Sequence, residues 1–414
     1  MERITRRQSL VLGTGLAVTA CGGGGGSRGG TVPIVSAPTP TPSPAPSPAP
    51  SPAPSPTPTP TPGGTASLSA LAATRNMRFG STFAWSAAGD AGSFANPSYA
   101  ALLERDCSIL VPENELKWQA LRPSVDRFDF DRADAMLAYA QSRNMAMRGH
   151  TLLWYVAERF PGWLTTYDFG SNPRAEAERL VREHVQTVTR RYGNQIASWD
   201  VINEAVDPAT GALRTNSLSR AVGGDASLLD LAFRTARAEL PTTQLVYNDY
   251  MDWGTPTHQA GVLALLRGFR ERGVPVDALG VQSHIGFYST ASAAAIVDQR
   301  TAGWRAFLDQ VVALGYDLVV TEMDVTDVDR PSSDPAVRDA DIATLGRGWL
   351  DIMMSYRQLK DVLFWGMSDR YSWLQSFQPR RDGLPLRPNP YDAVFAAKPL
   401  REAVADAFRA TAVR

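Results

Sequence analysis

Two carboxylates carry the most suggestive chemistry in the chain. Glu204 follows Asn203 at the end of the apolar run "WDVINEA", and Glu322 stands in "TEMD" with Asp324 two residues further on. An amide or a carboxylate is costly to bury without partners, so an apolar strand that ends on both leads either into solvent or into a site that uses them. At a strand end, residues two apart share a side, which groups Glu322 with Asp324 and, in "QSH", Gln282 with His284. A Glu322 that leans inward opposite Glu204 places two carboxylates across one cleft. Cleavage of a glycosidic bond needs that pair: one group protonates the leaving oxygen, and the other attacks or activates water. The residues alone do not say which does which.

Positioning these groups is the task of a repeating pattern that runs from about residue 66 to 414. Eight short β-rich runs are predicted strands: "RFGSTFA", "CSILVP", "MAMRGH", "IASWDVIN", "QLVYND", "DALGVQSH", "DLVVTEMD" and "DVLFWGMSD". Cys107, in the second run, reads as a buried strand residue. Amphipathic stretches lie between the runs. In the one from Asn172 to Tyr192, Ala175, Leu180, Val181, Val185, Val188 and Tyr192 recur at helical spacing, and a second covers Ser227 to Leu240. Eight strands alternating with helices favour an α/β fold, a single (β/α)8 TIM barrel, over a doubly wound sheet. Most of the runs end in a polar or aromatic cluster: "PENELKW", "GHTLLW", "NEA", "NDY", "QSH", "TEMD" and "WGMSD". In a barrel those ends share one face, and Glu, Asn, His and Trp converging there compose a sugar-binding cleft.

The first 65 residues differ in kind. Residues 1–21 combine a basic start (Arg3, Arg6, Arg7), a short apolar run from Leu10 to Ala20 and small residues leading to Cys21, the layout of an export signal. Arg6 and Arg7 resemble a twin-arginine signal, and "VTAC" resembles a lipoprotein cleavage box with Cys21 as the lipidated residue. Residues 22–65 begin Gly-rich, and every second residue from Pro38 to Pro62 is proline. Proline at that density removes backbone donors and fixes φ, so a disordered, extended linker is expected, reaching roughly 3.1 Å per residue. The expected location is periplasmic or on the cell surface, with a membrane tether through Cys21. If Cys21 carries lipid, the other cysteine, Cys107, has no disulfide partner.

With the motifs taken in order, the chain from about 75 to 410 resembles the glycoside hydrolase family 10 endo-β-1,4-xylanases. The resemblance rests on "ENELKW", "RGHTLLW", "WDVINEA", "YNDY", "GVQSHI", "TEMDV" and "WGMSDRYSWL". Single dipeptides such as "NE" are weak signals; the ordered set at strand ends is specific. The resemblance implies a retaining hydrolase of xylan and xylo-oligosaccharides, with Glu204 as acid/base and Glu322 as nucleophile. It implies that Asn203 holds a sugar 2-hydroxyl and that Glu113, Asn114 and Lys117 grip the sugar on the non-reducing side. His150 and Trp154 would line the cleavage point, and Trp365 and Trp373 would stack on pyranose rings. Gln282 and His284 count among the substrate-binding residues; His284 is expected to bond Glu322 and to be oriented by Asp324, which keeps Glu322 ionised. Tyr155 and "GLPLRPNPYDAVFAAKPL" depart from the family pattern on the side of the leaving sugar.

Other classes fare worse. A net charge of -1 argues against nucleic acid as a partner. With four histidines in the chain, His150 and His284 standing alone, His184 on a helix and His258 in a loop, no metal and no cofactor is expected. A β-1,4-glucan hydrolase and a catalytically dead sugar-binding lipoprotein remain as rivals, the second opposed by the presence of both carboxylates. A monomer is expected.

Overall fold

The computed structural model describes residues 66–85 and 92–414. The expectations for residues 1–65 (export signal, Cys21 lipidation and linker) lie outside the described residues.

The strands are β1 (Arg78–Phe83), β2 (Ile109–Pro112), β3 (Ala146–Trp154), β4 (Ser198–Asn203), β5 (Gln244–Asp249), β6 in two pieces (Ala278–Val281 and His284–Gly286), β7 (Asp317–Thr326) and β8 (Leu359–Phe364). Each is parallel to its neighbours, and β1 pairs with both β2 and β8, Gly80 opposite Ile109 on one side and Leu363 on the other. The sheet therefore closes on itself, and the eight-stranded barrel read from the sequence is the fold. Ile109 and Val111 from β2, Val246 from β5, Ala278 from β6, Val319 from β7 and Leu363 from β8 form one cluster. Residues from strands on opposite sides of a closed sheet meet only in its interior, so this cluster fills the barrel. The larger core lies between the strands and the surrounding helices.

The helix Pro173–Tyr192 shows how the outer layer is specified. Asn172 caps it by accepting from the Ala175 amide, proline opens it, and it stops at Gly193, whose φ is +50°. Leu180, Val181, Val185, Val188 and Tyr192 are buried as the spacing requires, but Ala175 is exposed and Ala177 takes its place on the inner face. His184 is buried on the same helix, its ring stacked 4.2 Å from Trp118. Two sequence readings are corrected. His258 lies in the helix Pro256–Glu271 rather than a loop, because Pro256 opens a helix as readily as it breaks one. Cys107 is buried but terminates the helix Pro97–Asp106, before β2 begins.

Besides one between Leu318 and Val319 near the start of β7, the shifts in strand register fall where polar side chains enter the barrel mouth. They lie between His150 and Leu153 in β3, between Asp200 and Ile202 in β4, and between Val320 and Met323 in β7. Such irregularities re-aim side chains that a regular pleat would send to alternating faces.

Candidate active site

Glu204 is the first residue beyond β4 and takes a left-handed backbone, φ +55°. That conformation is uncommon for a residue with a side chain and needs support from its surroundings. Both of its backbone groups are held: its N–H donates to the Asn248 carbonyl at 2.9 Å, and its carbonyl accepts from Arg214 Nε at 2.9 Å. Arg214 also donates to the Tyr250 hydroxyl at 2.6 Å. The carboxylate of Glu204 accepts from Gln282 Nε2 at 2.9 Å. Gln282 lies in the break in β6 with Ser283, whose φ is +66°, and His284 begins the second piece.

Glu322 projects from β7 into a different environment. Oε1 accepts from Asn248 Nδ2 at 2.6 Å and lies 3.9 Å from His150 Nδ1, while Oε2 lies 3.4 Å from His284 Nε2. Behind His284, Nδ1 meets Asp324 Oδ2 at 2.9 Å, and the same oxygen accepts from Trp373 Nε1 at 2.9 Å. The same His150 Nδ1 meets Asp200 Oδ2 at 2.9 Å, and Asp200 is paired with the buried Arg148 at 2.5 Å. Asn248 is itself fixed by Thr321, whose hydroxyl donates to Oδ1 at 2.7 Å, and its amide nitrogen lies 2.9 Å from the Asn203 amide.

These surroundings drive the two carboxyls apart. Burial raises the pKa of Glu204, and the charges of Asp249 and Glu322 add to it, against the hydrogen bonds from Gln282 and Trp154. Burial would also raise Glu322, but the charges of His150 and His284 and the His284 hydrogen bond outweigh it and hold the carboxyl below its usual range. Burial disfavours charge on His284, yet Asp324 and Glu322 overcome it and push its pKa up to about 10. One carboxyl is thus poised to carry a proton and the other to remain an anion, which is the division of labour that acid-assisted glycosidic cleavage needs.

The remaining predicted residues gather at the same mouth. Lys117 is buried; its ammonium donates to Asn114 Oδ1 at 3.0 Å and lies 4.7 Å from the Trp154 ring and 5.8 Å from that of Trp365. Burial lowers the Lys117 pKa and raises that of Glu113, and each charge opposes the other's shift. Trp365 packs on His150 with ring centroids 5.2 Å apart, and Trp373 on His284 at 5.0 Å. Trp365 is only 8% exposed, and Asn114 lies at the exposed rim. Sequence reasoning did not single out Asn248, Arg148, Asp200, Asp249, Arg214 or Tyr250. Asn248, Asp249 and Tyr250 lay within "NDY", a polar cluster at a strand end, which was the available signal. Arg148 and Asp200 sit inside strands, where only their mutual pairing across β3 and β4 reveals them.

A parallel barrel whose C-terminal mouth holds two carboxyls of opposed acidity, ringed by amides, histidines and indoles, defines a glycoside hydrolase. The chain belongs to glycosyl hydrolase family 10, whose family model matches residues 67–407. It is 29% identical over 282 residues to endo-1,4-beta-xylanase B of Thermotoga neapolitana, covering 67% of this chain and 75% of that one. It is 30% identical over 324 residues to exoglucanase XynX of Acetivibrio thermocellus, covering 75% of this chain but 27% of that much longer protein. Among solved structures, xylanase 10B from Thermotoga maritima superposes with a TM-score of 0.72 at 26% identity, covering 83% of this chain and 98% of its own. Xylanase 10B from Thermotoga petrophila RKU-1, solved with xylobiose, gives 0.71 at 26% identity, covering 84% and 98%.

Proposed function

We propose that the protein is an endo-β-1,4-xylanase that hydrolyses internal β-1,4-xylosidic bonds of xylan with retention of anomeric configuration. The observation that carries the reading is the contrast between Glu204 and Glu322: one carboxyl raised by burial, the other held low between two histidines, in a family 10 barrel. In the first step Glu204 protonates the departing sugar oxygen while Glu322 attacks the anomeric carbon; in the second, Glu204 as base draws a proton from water that displaces Glu322. Asn203, beside Glu204 at the end of β4, bonds the 2-hydroxyl of the sugar that becomes covalently bound, a contact that strengthens in the transition state. Asn248 and His284 hold the nucleophile in place. Lys117, Asn114 and Glu113 bind the sugar on the non-reducing side, His150, Trp154 and Gln282 line the point of cleavage, and Trp365 and Trp373 present ring faces to the chain.

The layout of residues 1–21 supports export, with Cys21 as the lipidated residue and residues 22–65 as the tether between a membrane and a monomeric catalyst. Proton NMR of the first product tests the retaining mechanism: the β-anomer is expected, and initial release of the α-anomer overturns it. Reducing-sugar release from xylan, arabinoxylan and mixed-linkage β-glucan, measured side by side, tests the substrate. Xylan should be preferred by a wide margin, and a β-glucan preference would overturn xylan as the substrate.

A further inference from the structure

Arg159 stands out beside the cleft as a cation that the proposed catalytic cycle does not use. It ends the short turn Ala157–Arg159 that follows β3, and its guanidinium lies 4.8 Å from the centroid of the Trp154 ring. Trp154 is the indole that also receives the Lys117 ammonium at 4.7 Å and whose N–H reaches Glu204. Arg159 is therefore one ring away from the acid/base carboxyl, on the side of the mouth built by Lys117 and Asn114. Unlike Lys117, it is exposed to solvent.

Several of the chain's arginines are paired with a carboxylate, and among the described residues Arg159 is not. Arg122 pairs with Glu183, Arg148 with Asp200, Arg174 with Asp225 and Arg191 with Asp134. Among the described residues no carboxylate pairs with Arg159, not even Glu158 beside it in the turn. The guanidinium lies within cation–π reach of the indole, 4.8 Å from the ring centroid, and its N–H groups form a planar fork that matches a carboxylate. The contact with Trp154 also restrains the side chain before any ligand arrives, which reduces the ordering cost of binding.

We propose that Arg159 is a specificity-determining residue that binds the carboxylate of a uronic acid branch carried by a xylosyl residue on the non-reducing side of the scissile bond. This rests on the xylanase reading above and goes beyond it by naming the decoration the cleft favours. A neutral pentose branch offers hydroxyls to the fork but no charge, so the preference is for the acidic branch over the neutral one. The contact is made at a solvated rim, so its strength is modest and depends on ionic strength.

The test uses the full-length enzyme and three xylo-oligosaccharides with the same backbone: unbranched, branched with a uronic acid, and branched with the same sugar after reduction of its carboxyl to an alcohol. The readout is the ratio of kcat/KM on the acidic branch to kcat/KM on the reduced branch. For the wild type the ratio should exceed unity by about 3- to 10-fold and decline as sodium chloride is raised. Arg159→Gln should bring the ratio close to one, and Arg159→Lys should retain part of it, since an ammonium keeps the charge but loses the fork. An equal wild-type preference for acidic and reduced branches, or a ratio that Arg159→Gln leaves intact, overturns the proposal. Because the salt dependence is measured on the wild type, a poorly folded variant does not protect the proposal. Failure of the wild type to cleave the unbranched oligosaccharide would instead remove the xylanase reading, so the two failures are distinguishable.

Discussion

Glu204 and Glu322 are the same residue type, and only their neighbours separate them. Glu204→Ala should leave the nucleophile in place, so an aryl xyloside whose phenolate departs without a proton still glycosylates Glu322, and azide then restores turnover as an external nucleophile. On xylan, where the leaving group needs the proton, the same substitution should cost about 10²- to 10⁴-fold in kcat. Glu322→Ala should abolish retaining turnover on good and poor leaving groups alike, and full activity of Glu204→Ala on xylan would overturn the assignment. The pH profile of kcat/KM should be a bell whose acidic limb reports Glu322 and whose alkaline limb reports Glu204. His284 helps keep Glu322 low, so His284→Ala should move the acidic limb to higher pH by about one unit. Asp249 helps raise Glu204, so Asp249→Asn should move the alkaline limb to lower pH. Burial leads in lifting Glu204, and Asp249 contributes ahead of Glu322. Substitutions that shifted both limbs together would show that the two environments are not separate.

The elements explain why much of the site was legible and some was not. Strand ends and the residues that follow them are visible in sequence as polar punctuation of apolar runs, and most predicted site residues from Glu113 to Trp373 lie at or beyond such an end, whereas His150, Glu322 and Asp324 lie inside β3 and β7, which run on past them. What periodicity cannot reveal is a change of register. The shift between His150 and Leu153, the break in β6 at Gln282 and Ser283, and the left-handed backbone of Glu204 decide where these side chains point, and none has a signature in an alternating pattern. Asn248 was missed for a related reason: as a polar residue within a predicted strand it reads as punctuation, and only the closed barrel brings it across to Glu322. The close fit between β3 and β4 is legible only in three dimensions as well. A Cβ on Gly149 would lie 2.0 Å from the Trp199 ring, in the strand step before His150. Gly149→Ala should therefore push β3 away from β4, destabilise the fold by about 1–3 kcal/mol and lower kcat by displacing His150, with the loss read as a fall in Tm. A Tm equal to that of the wild type would mean that the Trp199 ring has room to move.

At the scale of the whole molecule, the barrel closes from β1 to β8 within residues 78–364, and the C-terminal helix Pro399–Ala410 packs its buried face, Leu400, Val404, Ala405 and Phe408, into the same core. Every group assigned a part in the reaction belongs to this unit, so the chemistry should not depend on residues 1–65. Removing them should leave kcat and KM on short, soluble xylo-oligosaccharides within about two-fold of the full chain. The proposed lipid on Cys21 acts on location instead: a single acyl chain gives weak, reversible membrane binding, and stable anchoring takes more than one. A bacterial lipoprotein carrying several chains on Cys21 should sediment with membranes, whereas Cys21→Ser should appear in the soluble fraction with the same specific activity per folded enzyme. Mass spectrometry of the membrane-bound protein should find the mature chain starting at Cys21 with acyl groups attached. An unmodified soluble chain starting elsewhere would end the tether while leaving Glu204 and Glu322 in their roles. A Cys21→Ser enzyme that lost activity on soluble oligosaccharides would contradict the independence of the two parts.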